Sequence, residues 1–182
     1  MFDRSDDTLV KQALAGKKSA WLALVKRYET PIYNYALRMV SNPDDALDLM
    51  QDVFIAVFRN LASFRGDSKF KSWLFRIAHY RCIEHYRRKK PTQSLDDEPE
   101  VESLVQDSCP EYDMQQSQQA LALVTAMKLL PINQRTVVEL KFFQHFTFEE
   151  ISQQLGVSSN TVKSRLYSAL DKLKGTLEVN YV

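Results

Sequence analysis

The stretch from 147 to 174, TFEEISQQLGVSSNTVKSRLYSALDKLK, constrains the fold most, because it contains start and stop signals for two consecutive helices. Thr147 and Glu150 have the spacing of a capping box, in which each side chain satisfies the other residue's backbone N–H. Gly156 can adopt the left-handed conformation that ends a helix, and Ser158 is a good N-cap for the next one. This order of signals predicts a helix-turn-helix.

The second of these helices has an apolar face and a face of short polar and basic side chains. At 100° per residue, an arc of about 100° holds the apolar residues Val162, Leu166, Ala169, Leu170 and Leu173. The opposite face holds Thr161, Ser164, Arg165, Tyr167, Ser168 and Lys172. Hydrogen-bond donors and a cation on an exposed helix suit the major groove of DNA. A plain helical hairpin with a solvated face is the alternative.

Charge divides the whole chain of 182 residues into three parts. Residues 1–90 carry 17 Lys/Arg and 10 Asp/Glu, and residues 118–182 carry seven and five. Between them, residues 91–117 carry eight acids, no bases and three prolines. Such a segment cannot bury enough apolar surface to fold alone. The chain has only four glycines, and its apolar residues over 8–88 have a helical period. Together with the acidic segment, this predicts an all-α fold with two small helical domains joined by a flexible acidic linker.

Local signals predict where the helices of the first domain begin and end. Ser19 is placed to cap a helix, in which Pro31 should cause a kink or break one backbone hydrogen bond. A helix is predicted over 43–60, with Asn42 as its N-cap and proline at its first position. A further helix is expected to begin near residue 68 and to end by residue 91.

The helix predicted over 43–60 separates apolar from acidic side chains. Its apolar side is predicted to consist of Leu47, Met50, Val53, Phe54, Val57, Phe58 and Leu61. Its other side consists of Asp44, Asp45, Asp48, Gln51 and Asp52, with Ile55 and Arg59 among them. DNA would repel this face, whereas an exposed apolar residue among acids is typical of a protein-docking surface. A solvated helix face is the alternative.

The segment 64–90 combines nine Lys/Arg and only two acids with six aromatic side chains. An arc of about 80° on one helix, beside Tyr80, holds Arg76, His79, Arg87 and Lys90. Cations can pair with phosphates while unpaired bases stack on neighbouring rings, so the combination indicates binding of single-stranded or flipped bases. Alternatively, the rings are core and the bases are merely solvated, as the sequence allows for Phe64, Phe70, Trp73 and Phe75.

Several classes of protein fit this chain poorly. No apolar run approaches the roughly 20 residues that a membrane span requires, and the N-terminus is too acidic for a signal peptide. We therefore expect a cytoplasmic protein. The two cysteines and three histidines lack metal-ligand spacing, so we expect neither a metal nor a cofactor. An enzyme is the weakest candidate, because no glycine-rich phosphate loop or nucleophile–base pattern occurs.

Two stretches together resemble bacterial sigma factors. DDALDLMQDVFIAVFRNLASFRGDSKFKSWLFRIAH with YRRKK resembles region 2, and LPINQRTVVELKFFQHFTFEEISQQLGVSSNTVKSRL resembles region 4. The chain has no room for regions 1.1 and 3, which is the layout of the extracytoplasmic-function (ECF) group of the sigma-70 family. The resemblance implies an initiation factor that binds promoter DNA and core RNA polymerase, through the β′ clamp helices and the β subunit. It also implies an anti-sigma factor, which in this family is often membrane-anchored.

The resemblance further implies domains and residue roles. Residues 1–90 would be the region 2 domain, 91–117 the linker through the polymerase interior, and 118–182 the region 4 domain. Polymerase docking would use Asp45, Asp48, Gln51, Asp52 and Ile55. Recognition and melting of the −10 element would use Phe64, Lys69, Phe70, Trp73, Arg76, His79, Tyr80, Arg87 and Arg88. Reading of the −35 element would use Thr161, Lys163, Ser164, Arg165, Tyr167 and Ser168.

Two other functions stay open on the sequence. A repressor or activator that binds DNA without polymerase explains 147–174 but leaves the acidic face around Ile55 without a role. A protein that binds single-stranded DNA or RNA explains 64–90 but not a major-groove helix. Binding to core RNA polymerase distinguishes both from a sigma factor.

Overall fold

The computed structural model describes residues 4–40, 42–92, 94–97 and 122–179, and the described part contains helices and no β-strand. The chain divides into two compact units, Met1–Pro91 and Thr92–Val182, called here the first and second units. The all-α class with two helical bodies is confirmed. Most of the predicted acidic linker, residues 98–117, lies outside the described residues.

The described residues of the first unit form four α-helices and a short 3₁₀ turn. They are α1 (Asp6–Leu14), α2 (Lys18–Met39), α3 (Pro43–Asn60), the 3₁₀ turn (Leu61–Ser63) and α4 (Phe70–Lys89). The start of α3 is as predicted, because the Asp45 N–H donates to the side-chain oxygen of Asn42 at 2.7 Å. Local capping chemistry therefore places α3 on the chain.

The predicted cap of α2 was wrong. The helix begins at Lys18, so Ser19 lies inside it, and the N-cap residue Lys17 makes no side-chain cap bond. Gly16, at a φ of 83°, makes the turn that joins α1 to α2. The helix continues through Pro31, whose ring nitrogen carries no hydrogen, so one backbone bond is absent there.

The core of the first unit forms where α3 packs against both α2 and α4. Its fully buried side chains include Leu24, Ile32, Tyr35, Leu49, Leu74 and Phe75. The predicted apolar face of α3 needs correction: Leu47 is 42% exposed and Phe58 is 62% exposed, whereas Leu49 is buried. Because α3 packs against both α2 and α4, a broader arc of its surface is buried than contact with one helix would bury. This arc includes the small residues Ala46 and Ala56.

The described residues of the second unit form a helix over 122–128, named α5, then α6 (Ile132–Val138), α7 (Phe148–Leu155) and α8 (Ser159–Val179). A π-helical turn, Glu139–Phe143, extends α6. Pro131 is the N-cap residue of α6, where its missing N–H leaves no helical hydrogen bond unmade. The core contains Met127, Leu140, Ile151, Val162 and Ala169.

A short part of the predicted linker is packed rather than free. The Asn133 N–H of α6 donates to the Leu95 carbonyl at 3.3 Å, and the Asn133 amide donates to Asp96 at 2.7 Å. The Ser94 N–H also donates to Asp97 at 2.7 Å, which closes a local turn. Residues 94–97 therefore belong to the surface of the second unit.

Candidate nucleic-acid and polymerase-binding surfaces

The helix-turn-helix of the second unit forms as its end signals predict. The Glu150 N–H donates to Thr147 Oγ1 at 3.1 Å, and the Thr147 N–H donates to the Glu150 carboxylate at 2.8 Å. Gly156 ends α7 in the left-handed conformation, at a φ of 66°. The Thr161 N–H donates to Ser158 Oγ at 3.0 Å, which caps α8. The predicted helix ends are confirmed.

The outer face of α8 carries the residues expected to contact the −35 element, and none of them is buried. Those that are exposed are Lys163, Ser164, Tyr167 and Ser168, and those that are half-buried are Thr161 and Arg165. The Thr161 hydroxyl lies 2.8 Å from Ser158 Oγ, so it is already engaged in the cap. Leu170, which the sequence places on the apolar face of this helix, is 37% exposed, whereas Val162, Leu166, Ala169 and Leu173 are buried.

A second lysine, which the sequence analysis missed, lies beside this face. The Lys141 ammonium is 4.6 Å from the centroid of the Phe148 ring, and the Lys163 ammonium is 5.6 Å from the same centroid. The ring attracts both cations and holds them near the start of α7. Lys141 belongs to the π-helical turn, so no helical spacing in the sequence connects it to α8. Packing alone brings it there.

In the first unit, the structure divides the aromatic residues of 64–90 into core and surface. The expected role of Phe70 in −10 recognition has to be corrected. Its side chain is only 2% exposed, and its ring centroid lies 5.7 Å from that of Tyr28 on α2. A ring buried against a neighbouring helix cannot stack on a base. Phe64 and Trp73 are half-buried, with centroids 5.3 Å apart, and both pack against Phe70. Phe70 therefore supports the two rings that reach the surface.

Tyr80 is the exposed ring of α4, with 53% of its surface accessible. The Arg76 guanidinium lies 5.9 Å from the Tyr80 centroid, and the His79 ring lies 6.1 Å from it. Lys69 and Arg87 are exposed beyond the two ends of this group. This is the predicted combination of an accessible ring with neighbouring cations.

The acidic face of α3 is also at the surface. Asp48, Gln51 and Asp52 are exposed, and Ile55 is 49% exposed among them. Asp45 is half-buried. An apolar side chain ringed by carboxylates has the character of a docking anchor.

Basic side chains of α4 reach toward this acidic face. Lys89 Nζ forms a close ion pair with the Asp45 carboxylate, and the Arg88 guanidinium lies 3.8 Å from the Asp52 carboxylate. His85 Nε2 is 3.9 Å from the Asp45 carboxylate. Burial lowers the pKa of His85, although the neighbouring Asp45 acts in the opposite direction. Lys89 is therefore the main cationic partner of Asp45.

Ile55 also borders an apolar groove between α2 and α3, with a volume of about 520 Å³. The apolar lining consists of Trp21, Leu22, Val25, Phe54, Ile55 and Phe58. Leu22 is 63% exposed, and Phe58 packs edge-on against Trp21 with centroids 5.1 Å apart. Lys18 and Arg59 lie at its rim, so the groove differs in charge from the acidic face beside it.

Among the residues that the structure describes, no cluster of three or more His, Cys, Asp or Glu side chains could hold a metal ion. No helix in the same ranges has both the length and the apolarity that crossing a membrane requires.

Family profiles match both units. Residues 24–92 match Sigma-70 region 2, and residues 120–173 match Sigma-70, region 4. The ECF RNA polymerase sigma factor SigW of Bacillus subtilis is 31% identical, over 92% of this chain and 94% of that protein. The ECF RNA polymerase sigma-E factor of Escherichia coli is 29% identical, over 96% of this chain and 95% of that protein.

Solved structures agree with these sequence relatives. CnrH in complex with the cytosolic domain of CnrY matches with a TM-score of 0.72 and 25% identity, over 97% of this chain and 99% of that chain. The sigma factor RpoE in complex with the anti-sigma factor NepR, from Bartonella quintana, matches in fold with a TM-score of 0.69 at 23% identity, over 85% and 94% of the two chains. The chain belongs to the ECF group of the sigma-70 family of RNA polymerase sigma factors.

Proposed function

We propose that promoter-specific initiation is divided between the two units of this sigma factor. The chain binds core RNA polymerase and directs it to promoters, as sigma factors do. The region 2 domain, 1–90, would dock the polymerase and open the −10 element, and the region 4 domain, 118–182, would read the −35 element. Residues 91–117 would link them, and 94–97 of this linker pack on α6. The observation that carries the proposal is the presence in one chain of a helix-turn-helix, an exposed ring-and-cation surface and an acidic face with an apolar anchor.

For the −35 element, we assign the outer face of α8. A helix inserted in the major groove contacts base edges mainly through its N-terminal half. The exposed and half-buried residues there are Thr161, Lys163, Ser164, Arg165, Tyr167 and Ser168. Lys141, held with Lys163 beside Phe148, adds a cation that suits a phosphate contact.

For the −10 element, we assign the accessible rings Phe64, Trp73 and Tyr80, with the neighbouring Lys69, Arg76, His79, Arg87 and Arg88. Opening ten base pairs costs on the order of 14 kcal/mol, at about 1.4 kcal/mol per step. Two or three stacked bases return only about 2–9 kcal/mol. The free protein therefore does not sustain an open promoter, and polymerase contacts must supply the difference.

For polymerase docking, we assign Asp45, Asp48, Gln51, Asp52 and Ile55 on α3. Replacing Asp48 by Lys places a cation where a basic partner surface is expected, so core binding should be lost. A fluorescence-based titration of labelled protein with core polymerase measures this, and circular dichroism checks that the fold is intact. Glu29→Lys, which makes the same charge change at an exposed position of α2, is the control. Unchanged core affinity of Asp48→Lys would remove the docking assignment.

An anti-sigma factor is the second partner we propose, since a relative of this fold was solved with one. We assign it to the apolar groove between α2 and α3. An amphipathic helix with acidic flanks fits the apolar floor and the basic rim residues Lys18 and Arg59. Because Ile55 lies at the shared edge, such a helix would also cover part of the docking face.

The groove assignment is tested with the anti-sigma factor purified from the native host. Phe58→Asp should weaken its binding at least tenfold, because a carboxylate would be buried against apolar side chains. Leu14→Asp, at an exposed leucine of α1, is the control. Equal binding by wild type and Phe58→Asp would exclude the groove.

Run-off transcription tests the function as a whole. Core polymerase with this chain should start at defined sites on genomic fragments, and core polymerase alone should not. Sigma factors are non-catalytic initiation factors, and we propose that this chain likewise has no catalytic activity and acts in the cytoplasm beside the polymerase. Absence of any start-site selectivity would contradict the proposal.

A further inference from the structure

The end of α4 is tied to the acidic face of α3 by two ion pairs. They are the close contact between Lys89 and Asp45 and the 3.8 Å approach of Arg88 to Asp52. These pairs are called here the α3–α4 clasp. Asp52, Arg88 and Lys89 also line a groove of about 420 Å³, together with Asp48, Gln51, Ile55 and His85.

Each side of the clasp has a second assignment. Asp45 and Asp52 belong to the proposed docking face, and Arg88 belongs to the proposed DNA-binding surface, with Lys89 next to it in the chain. A carboxylate that pairs with a base of α4 is less available to a basic partner surface. In the same way, an ammonium or guanidinium group held by a carboxylate is less available to a phosphate.

We propose that the clasp couples polymerase docking to promoter binding, because each event breaks the same ion pairs. When the polymerase binds the carboxylates of Asp45 and Asp52, Arg88 and Lys89 become available to DNA phosphates. When DNA phosphates bind Arg88 and Lys89, the two carboxylates become available to the polymerase. Coupling between two binding events is reciprocal, so both effects must have the same size. The inference rests on the proposed function, since it assumes where polymerase and DNA bind.

The exposure of the groups suits a contact that is made and broken. The side chains of Arg88 and Asp52 are 68% and 51% exposed, and that of Lys89 is 53% exposed. Ion pairs in water are weak and exchange partners readily. The Asp45 side chain is only 19% exposed, against 51% for that of Asp52, so the Asp45 carboxylate is the less accessible of the two to water.

The first test measures binding to core polymerase in the absence of DNA. Arg88→Gln/Lys89→Gln should bind core polymerase about two- to tenfold more tightly than wild type, which is the range expected for losing two ion pairs at the protein surface. Lys11→Gln/Lys26→Gln removes the same charge from exposed positions of α1 and α2 and serves as the control. Unchanged or weaker binding by the first variant, relative to this control, would overturn the clasp.

The second test measures DNA binding in the absence of polymerase, with a labelled single-stranded oligothymidine as the probe. Asp45→Asn/Asp52→Asn should bind it about two- to tenfold more tightly, and the gain should shrink at high salt. Asp7→Asn/Glu29→Gln is the charge-matched control at exposed positions. A gain equal to that of the control would show a general charge effect and would refute the proposal.

The Asp48→Lys variant separates failure of the clasp from failure of the docking assignment. If it loses core binding while Arg88→Gln/Lys89→Gln binds like the control, docking stands and the clasp is refuted. If it binds core polymerase normally, the docking assignment fails, and the proposed coupling fails with it. Circular dichroism of each variant verifies that the helices are retained.

Discussion

The helix α8 in the second unit and the helix α4 in the first both present a candidate DNA-binding surface, but they are supported differently. The position of α8 follows from local chemistry: a capping box, a left-handed glycine and a serine cap fix the ends of α7 and the start of α8. By contrast, α4 has no side-chain cap, because its N-cap residue Lys69 makes no such bond. Some aromatic residues of α4 lie in the core and others at the surface. Local signals place a helix on the chain, whereas the packing partner decides which of its side chains remain accessible.

The two tryptophans make this comparison measurable. Trp21 and Trp73 both lie in the first unit, so tryptophan fluorescence follows its unfolding, whereas circular dichroism follows the helices of both units. A substitution in one unit should move only the transition of that unit.

The largest effect is expected at the core ring of the first unit. Phe70→Ala should lower the free energy of unfolding by about 3–5 kcal/mol, because it leaves a cavity among Tyr28, Phe64 and Trp73. Urea unfolding followed by tryptophan fluorescence measures the loss. A change below about 1 kcal/mol, which is typical of surface positions, would contradict the burial of this ring.

A smaller, sequence-specific effect is expected on α8. Arg165→Ala should weaken promoter binding by about 1–3 kcal/mol, and the loss should disappear when one base pair of the −35 element is changed. Gel-shift titration of the holoenzyme on a set of single-position promoter variants measures this. A uniform loss across all variants would instead assign Arg165 to a phosphate.

The exposed ring of Tyr80 provides the corresponding test on α4. Tyr80→Ala should leave the unfolding free energy within about 0.5 kcal/mol of wild type, since the ring is exposed. The holoenzyme should bind a fork-junction promoter about 1–3 kcal/mol less tightly, because one stacking ring is lost. Equal losses on duplex and on fork DNA would argue against base stacking.

The smallest effect is expected at the turn of the second unit. Gly156→Ala should cost about 1–2 kcal/mol, because a Cβ disfavours the left-handed conformation observed at this position. The circular dichroism transition of the second unit should shift while the tryptophan transition stays in place. A shift of the tryptophan signal would mean that the two units unfold together.

Three mistaken predictions share one physical cause. Leu47 and Phe58 were placed on the buried side of α3 from helical periodicity, and Phe70 was assigned to the −10 element from the family resemblance. Neither source identifies the neighbouring helices that cover a side chain. The structure buries Phe70 against α2 and leaves Leu47 and Phe58 exposed. Lys141 was missed because only packing against Phe148 brings it near Lys163.

The sequence by itself determined the all-α class, the caps of α3, α7 and α8, and the family, since each depends on residues close together in the chain. Only the tertiary structure decided which rings of 64–90 reach the surface, and that Arg88 and Lys89 meet the carboxylates of α3. Capping is a contact between residues a few positions apart, so a short stretch of sequence encodes it. Burial and long-range ion pairs depend on how helices distant in the chain pack together, which no local pattern encodes.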